Sequence, residues 1–149
     1  MGGGSINIHG CAVLIGTRGV LIRGQSAFGK TSLANGLIEE HIVSKKFARW
    51  IADDRVILSV NNGEIIARCP ESIFGLAEHC HLGIQPIRTA ASAILDLVID
   101  LMPHKELDRM PDPKTTIILG IELPLLHVPC RETTISMNLI AAQMSIMSE

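Results

Sequence analysis

Gly24-Gln25-Ser26-Ala27-Phe28-Gly29-Lys30-Thr31 is the stretch on which the reading of this 149-residue chain turns. It satisfies the pattern G-x4-G-K-S/T without a mismatch. Phosphate binding asks for these residue types. Glycines let backbone N–H groups converge on phosphate oxygens at a helix N-terminus, the lysine neutralises β- and γ-phosphate charge, and the threonine hydroxyl reaches Mg²⁺. A glycine turn that merely caps a helix would look similar, so the flanks decide. Upstream, residues 6–8 and 11–15 are short apolar stretches, Gly16-Thr17-Arg18-Gly19 supplies turn chemistry, and Val20-Leu21-Ile22 follows. This reads as a β-hairpin whose second strand feeds the loop. Downstream, Leu33, Ala34, Leu37 and Ile38 mark one face of a helix running to about Glu40. Strand, loop and helix are the context a phosphate loop requires. Ordinary P-loop folds begin with a parallel β-α-β unit, so the leading hairpin is a departure.

Beyond the helix, Trp50-Ile51-Ala52 is a brief apolar segment ending in Asp53-Asp54. Residues 55–60, the turn Asn61-Asn62-Gly63 and residues 64–67 form a second hairpin. Residues 70–78 read as a short helix or turn. Residues 93–101 read as an apolar strand carrying Asp96 and Asp100, and residues 102–113 as a polar, proline-bearing loop. Residues 115–119 and 125–128 look like two further strands. From Thr133 onward, Ile135, Leu139, Ala142 and Ile146 fall at helical spacing, so the chain closes with an amphipathic helix. With no repeat or linker, residues 6–149 read as one α/β domain whose sheet contains antiparallel pairs. Residues 1–5 are Gly/Ser-rich, a flexible start or a cloning remnant.

Composition narrows the classes. At 47% hydrophobic and 19% charged residues the chain is globular rather than disordered. Three Phe, one Trp, no Tyr and a net charge of -2 leave little to stack on or attract a nucleic acid. No apolar run reaches the ~18 residues of a membrane span. Cys11, Cys69, Cys80 and Cys130 are scattered without a C-x-x-C pair, so reduced thiols in the cytoplasm are the simplest reading.

Asp53-Asp54 stands at the carboxyl end of a predicted strand, where ligands bind on open α/β sheets. Adjacent side chains on extended backbone point apart, so the two carboxylates cannot be equivalent ligands without a turn between them. One holding Mg²⁺ and the other acting as base is the functional reading, and a solvated Asp-Asp turn is the plain one. Glu78, His79, Cys80 and His81 offer ligands, but zinc needs a complementary pair that the sequence does not show. Glu78 as an Mg²⁺ contact suits that ion's preference for oxygen. His9 and Arg109 read, on their own, as a structural histidine and a solvated charge, although an arginine at Arg109 could reach a transferring phosphoryl group.

The order of landmarks is more specific than any of them. His9-Gly10, the loop Gly24 to Thr31, Ile51-Ala52-Asp53-Asp54-Arg55-Val56, Glu78 with Leu82-Gly83-Ile84, and Leu107-Asp108-Arg109 together resemble HPr kinase/phosphorylase. The resemblance covers about the whole chain after Ser5, in the short form comprising the catalytic domain only. It implies a P-loop domain of the phosphoenolpyruvate carboxykinase-like type, a mixed sheet with antiparallel hairpins and flanking helices, which accounts for the leading hairpin.

The activity implied is an ATP- and Mg²⁺-dependent, cytoplasmic serine kinase that regulates carbohydrate metabolism. It acts on the phosphocarrier HPr or an HPr-like protein and in many members also removes the phosphate by phosphorolysis. By the same carry-over Lys30 holds the phosphates, Thr31 and Glu78 bind Mg²⁺, and His9 and Arg109 line the reacting phosphoryl group. The Asp53-Asp54 pair supplies the base, and the molecule is a homo-oligomer, commonly a hexamer. Two departures favour the phosphorylating direction. Cys80-His81 stands where the family usually has Arg-Gly, and Pro129-Cys130-Arg131-Glu132-Thr133 is shorter and more acidic than the family's basic loop associated with dephosphorylation. The alternative expectation is a nucleotide-binding regulatory module with little transfer activity.

Overall fold

Cys11-Ala12-Val13-Leu14-Ile15 has no polar residue at alternate positions, the pattern of a strand covered on both faces. In the computed structural model, which describes residues 4–25, 27–70, 89–107 and 114–147, it is such a strand. The elements run β1 (Ser5–His9), β2 (Cys11–Ile15), β3 (Arg18–Arg23), α1 (Lys30–Val43), β4 (Ala48–Ala52), β5 (Arg55–Asn61), β6 (Glu64–Arg68) and β7 (Ser92–Met102). A short 3-10 turn at His104–Glu106 then leads to β8 (Lys114–Ile118), β9 (Ile121–Pro129) and α2 (Thr133–Met147). This is the expected α/β class, a mixed sheet with hairpins and flanking helices.

The described strands make one nine-stranded sheet in which β7 is the shared member. Its eleven residues serve three neighbours: β6 antiparallel near its start, then β3 and β9 parallel along the rest. Because β2 is antiparallel to both β3 and β4, the strands β4, β3, β7 and β9 all point the same way and end at one rim. One face of the sheet packs Cys11, Val13, Ile15, Ile22, Leu97 and Ile99 against Leu33, Leu37 and Ile38 of α1 and Ile140 of α2. The other face packs Ala12, Leu21 and Val98 against Val56, Leu58 and Ile65 of the β5–β6 hairpin.

A bulge explains how an apolar central strand tolerates Asp96. Gly19 pairs with Leu95 but Val20 pairs with Leu97, so Asp96 is the extra residue. Its Oδ2 accepts the Gly19 N–H at 3.2 Å. The bulge moves Leu95 to one core and Leu97 to the other. Gly19 is required there, because a Cβ would collide with the Ile94 carbonyl oxygen.

Several details differ from the sequence reading. The segment from Ser5 to His9 is a strand of its own, paired with β5 and outside the β2–β3 hairpin. Helix α1 continues to Val43, past Glu40. Strand β9 starts at Ile121 and forms a tight hairpin with β8 through Leu119-Gly120, both at positive φ (50° and 83°) as a two-residue hairpin turn demands. Glu122 and Pro124 hid this strand, but Pro124 precedes the residues that pair with β7, so its missing N–H leaves that ladder intact. Cys69 is disulfide-bonded, which corrects the reading of four reduced thiols, while Cys11 and Cys130 are free. Bonding depends on how closely two chain segments approach, which sequence spacing does not reveal. The reading of residues 70–78 lies outside the described residues after Pro70.

Candidate phosphate and metal site

Lys30 opens α1 directly after Gly29, whose φ of 91° is left-handed backbone that glycine adopts freely. No side chain caps this helix start, so its first N–H groups face the loop and any anion held there. Gly24 lies hard against β7: a Cβ would come within 3.0 Å of the Leu101 Cβ. Lys30 is 8% exposed and folds back over the loop. Its Nζ donates to the carbonyl oxygens of Gly24 at 2.8 Å and Gln25 at 3.3 Å. With no carboxylate paired to it among the described residues, its positive charge is free to meet a phosphate.

The loop sits at the rim where β4, β3, β7 and β9 end, and β4 delivers Asp53 to it. Asp53 is 5% exposed, and its Oδ1 accepts from the Thr31 hydroxyl at 2.9 Å and the Cys11 thiol at 2.8 Å. Burial, and after it the bond to Asp53, pushes the Cys11 thiol up from 9.0 to about 12. The thiol is therefore a neutral donor.

Asp54 faces elsewhere, and the chain turns at this residue. Its φ is 74°, the Arg55 N–H reaches the Asp53 carbonyl at 2.9 Å, and the Gly10 N–H holds the Asp54 carbonyl at 3.0 Å. Extended backbone would already point adjacent side chains apart, and the tight turn at Asp54 does not bring the two carboxylates together. Its carboxylate Oδ1 lies 2.8 Å from His9 Nε2, with side chains 70% and 41% exposed. One carboxylate thus points inward to Thr31 and the other outward to His9.

Two supports flank the loop. Arg23, the residue before Gly24, is gripped by Asp100 of β7, Nε to Oδ1 at 2.7 Å and Nη2 to Oδ2 at 2.9 Å. On the other side the Arg131 N–H donates to the Phe28 carbonyl at 3.2 Å, and its guanidinium lies 5.9 Å from the Phe28 ring centroid. Glu132 beside it meets His104 Nδ1 at 2.7 Å. The segment singled out in the sequence as an altered loop therefore touches the phosphate loop.

Mg²⁺ needs one or two protein oxygens besides phosphate and water. The Thr31 hydroxyl and Asp53 carboxylate, in hydrogen-bond contact beside an uncapped helix start, fit that ion. Of the residues named from sequence, His9, Gly24, Gln25, Lys30, Thr31, Asp53 and Asp54 converge here, with Ala27, Phe28 and Gly29 completing the loop. Ser26, Glu78 and Arg109 lie outside the described residues. Cys11, Arg23 and Asp100 were not picked out. Cys11 reads as one more apolar residue of a buried strand, and the Arg23–Asp100 pair spans 77 positions with no pattern to join them.

Comparison with known proteins identifies the family of the chain. Residues 4–148 match the family model described as HPr Serine kinase C-terminal domain. The HPr kinase/phosphorylase of Geobacillus thermodenitrificans is 38% identical over 136 residues, 83% of this chain and 42% of that protein. The proteins of the same description from Brevibacillus brevis and Clostridium beijerinckii are 35% and 33% identical, over 42% and 43% of their lengths. The chain thus spans a little over two fifths of these relatives. The structure of the Hpr(Ser) kinase/phosphatase from Coxiella burnetii superposes with a TM-score of 0.74 at 24% identity, covering 97% of this chain and 99% of that one. At that identity it speaks for the fold.

Proposed function

The chain belongs to the family of HPr serine kinase C-terminal domains, and from that premise we propose that it phosphorylates a serine of HPr or an HPr-like carrier, using ATP and Mg²⁺. The observation that carries this reading is the split tandem of carboxylates, with buried Asp53 joined to Thr31 of the phosphate loop and exposed Asp54 joined to His9. A kinase needs both a site for phosphate and metal and a group to take the acceptor's proton.

In this reading the α1 N-terminus, Lys30 and the loop N–H groups hold the nucleotide phosphates, and Thr31 and Asp53 hold Mg²⁺. When bound, the ion neutralises charge shared by the β- and γ-phosphates. The acceptor serine Oγ attacks the γ-phosphorus, the bond to the departing ADP oxygen breaks, and the serine proton passes to Asp54. His9 keeps that carboxylate oriented by donating to Oδ1, which leaves Oδ2 to accept. Glu78 as a second Mg²⁺ contact and Arg109 at the transferring phosphoryl group belong to the same proposal. So do cytoplasmic action and homo-oligomeric assembly. No described helix is long and apolar enough to cross a membrane.

Purified protein incubated with ATP, Mg²⁺ and carrier is expected to produce phosphoserine. Lys30→Ala and Asp54→Asn abolish transfer, and Asp53→Asn raises the Mg²⁺ requirement as well as slowing it. Transfer that survives Lys30→Ala refutes the reading. Nucleotide binding with no transfer to any carrier returns the regulatory-module alternative, and added inorganic phosphate with phosphorylated carrier reads the reverse direction.

A further inference from the structure

Position 11 belongs to a face of β2 that otherwise carries Val13 and Ile15, all three at 0–1% exposure in one apolar core. Packing alone would be met there by valine or alanine. Instead the side chain is a thiol, and its sulfur reaches out of that core to Asp53 Oδ1 at 2.8 Å and lies 3.9 Å from the Thr31 hydroxyl. The same carboxylate oxygen accepts from Thr31 at 2.9 Å. Two donors from two different elements therefore converge on one buried atom. The backbone makes the approach rigid: the Gly10 N–H is tied to the Asp54 carbonyl, and Ala12 pairs with Ala52 on the far side of the Asp-Asp turn.

We propose that Cys11 is a positioning residue for the metal-nucleotide site: its thiol fixes the Asp53 carboxylate so that Asp53 and Thr31 meet Mg²⁺ together. Burying a carboxylate is costly unless donors compensate it. A donor within a closed core also restricts which way the carboxylate plane can swing. Partners that orient a ligand in this way govern metal affinity even though they never touch the ion. The inference rests on the phosphotransfer reading only in assigning Mg²⁺ to Thr31 and Asp53.

The test compares the full chain with Cys11→Val, which fills the space without a donor, Cys11→Ala, and Cys11→Ser, which keeps one. Mn²⁺ binding in the presence of ADP, followed by electron paramagnetic resonance, reads the metal site without requiring turnover. Val and Ala are expected to weaken Mn²⁺ about tenfold while Ser stays within about threefold. In the kinase assay the KM for Mg²⁺ rises in Val and Ala, while kcat at saturating Mg²⁺ holds within about twofold. Mn²⁺ bound by Val and Ala as tightly as by the wild type overturns the proposal, and so does a Ser variant as weak as Ala. A wild type that binds Mn²⁺–ADP but phosphorylates no carrier defeats the proposed function and leaves the Cys11 comparison readable. A wild type that binds no Mn²⁺–ADP defeats both.

Discussion

Asp54 holds a backbone conformation that non-glycine residues seldom take, with φ at 74°. Such a residue costs some stability, and its persistence points to a use for the side chain. Asp54→Gly is therefore expected to leave the melting temperature unchanged or raised while transfer is lost, a separation that thermal denaturation beside the phosphoserine assay would show. Cys11 makes a prediction of opposite character. Its thiol is pushed from 9.0 to about 12 in the folded chain. In the unfolded chain the thiol ionises near 9 while the folded one stays protonated, so its stabilising contribution is full below pH 9 and falls as pH rises toward 12. In metal-free protein the stability of wild type minus that of Cys11→Val should decline over this window, by at most about 1.4 kcal/mol per pH unit. Urea denaturation at pH 8, 9.5 and 11 checks it.

At the level of elements, the join between β3 and β7 lies directly before Gly24. The bulge at Asp96 and the missing side chain of Gly19 let the two strands meet, and Arg23–Asp100 locks their ends. Gly19→Ala should cost about 1–3 kcal/mol, because the new Cβ forces the backbone apart. Asp100→Ala leaves a partly buried guanidinium without its bidentate partner and should cost about 1–2 kcal/mol. If the lock also sets loop geometry, Asp100→Ala weakens ADP binding, and an Arg23→Ala, Asp100→Ala double mutant loses less than the sum of the two single changes. Calorimetric titration with ADP beside denaturant melts would measure both effects.

For the molecule as a whole, two cores share one sheet, with Ile99 in the core under the helices and Leu58 in the core under the β5–β6 hairpin. Both are 0% exposed. Ile99→Ala and Leu58→Ala are each expected to cost about 2–5 kcal/mol. Because β7 serves both cores, each variant should shift a single cooperative transition. Tryptophan fluorescence reports the helix side through Trp50, and far-UV circular dichroism reports the whole sheet, so separated midpoints would show that the two cores melt independently.

Sequence alone was enough for the helix after Gly29, the hairpin before Gly24 and the hairpin at Asn62-Gly63, because each is set by local chemistry: glycine's freedom, apolar periodicity and turn residues within a few positions. The landmarks ordered along the chain were enough to indicate the family. That the two adjacent carboxylates diverge was legible, but not what each meets, since that depends on His9 and Thr31, 45 and 22 positions away. Cys11, the Arg23–Asp100 lock, the start of β9 and the disulfide at Cys69 were decided only by tertiary structure. Each depends on which strands come to lie side by side, and a one-residue bulge is enough to exchange the face on which a side chain appears.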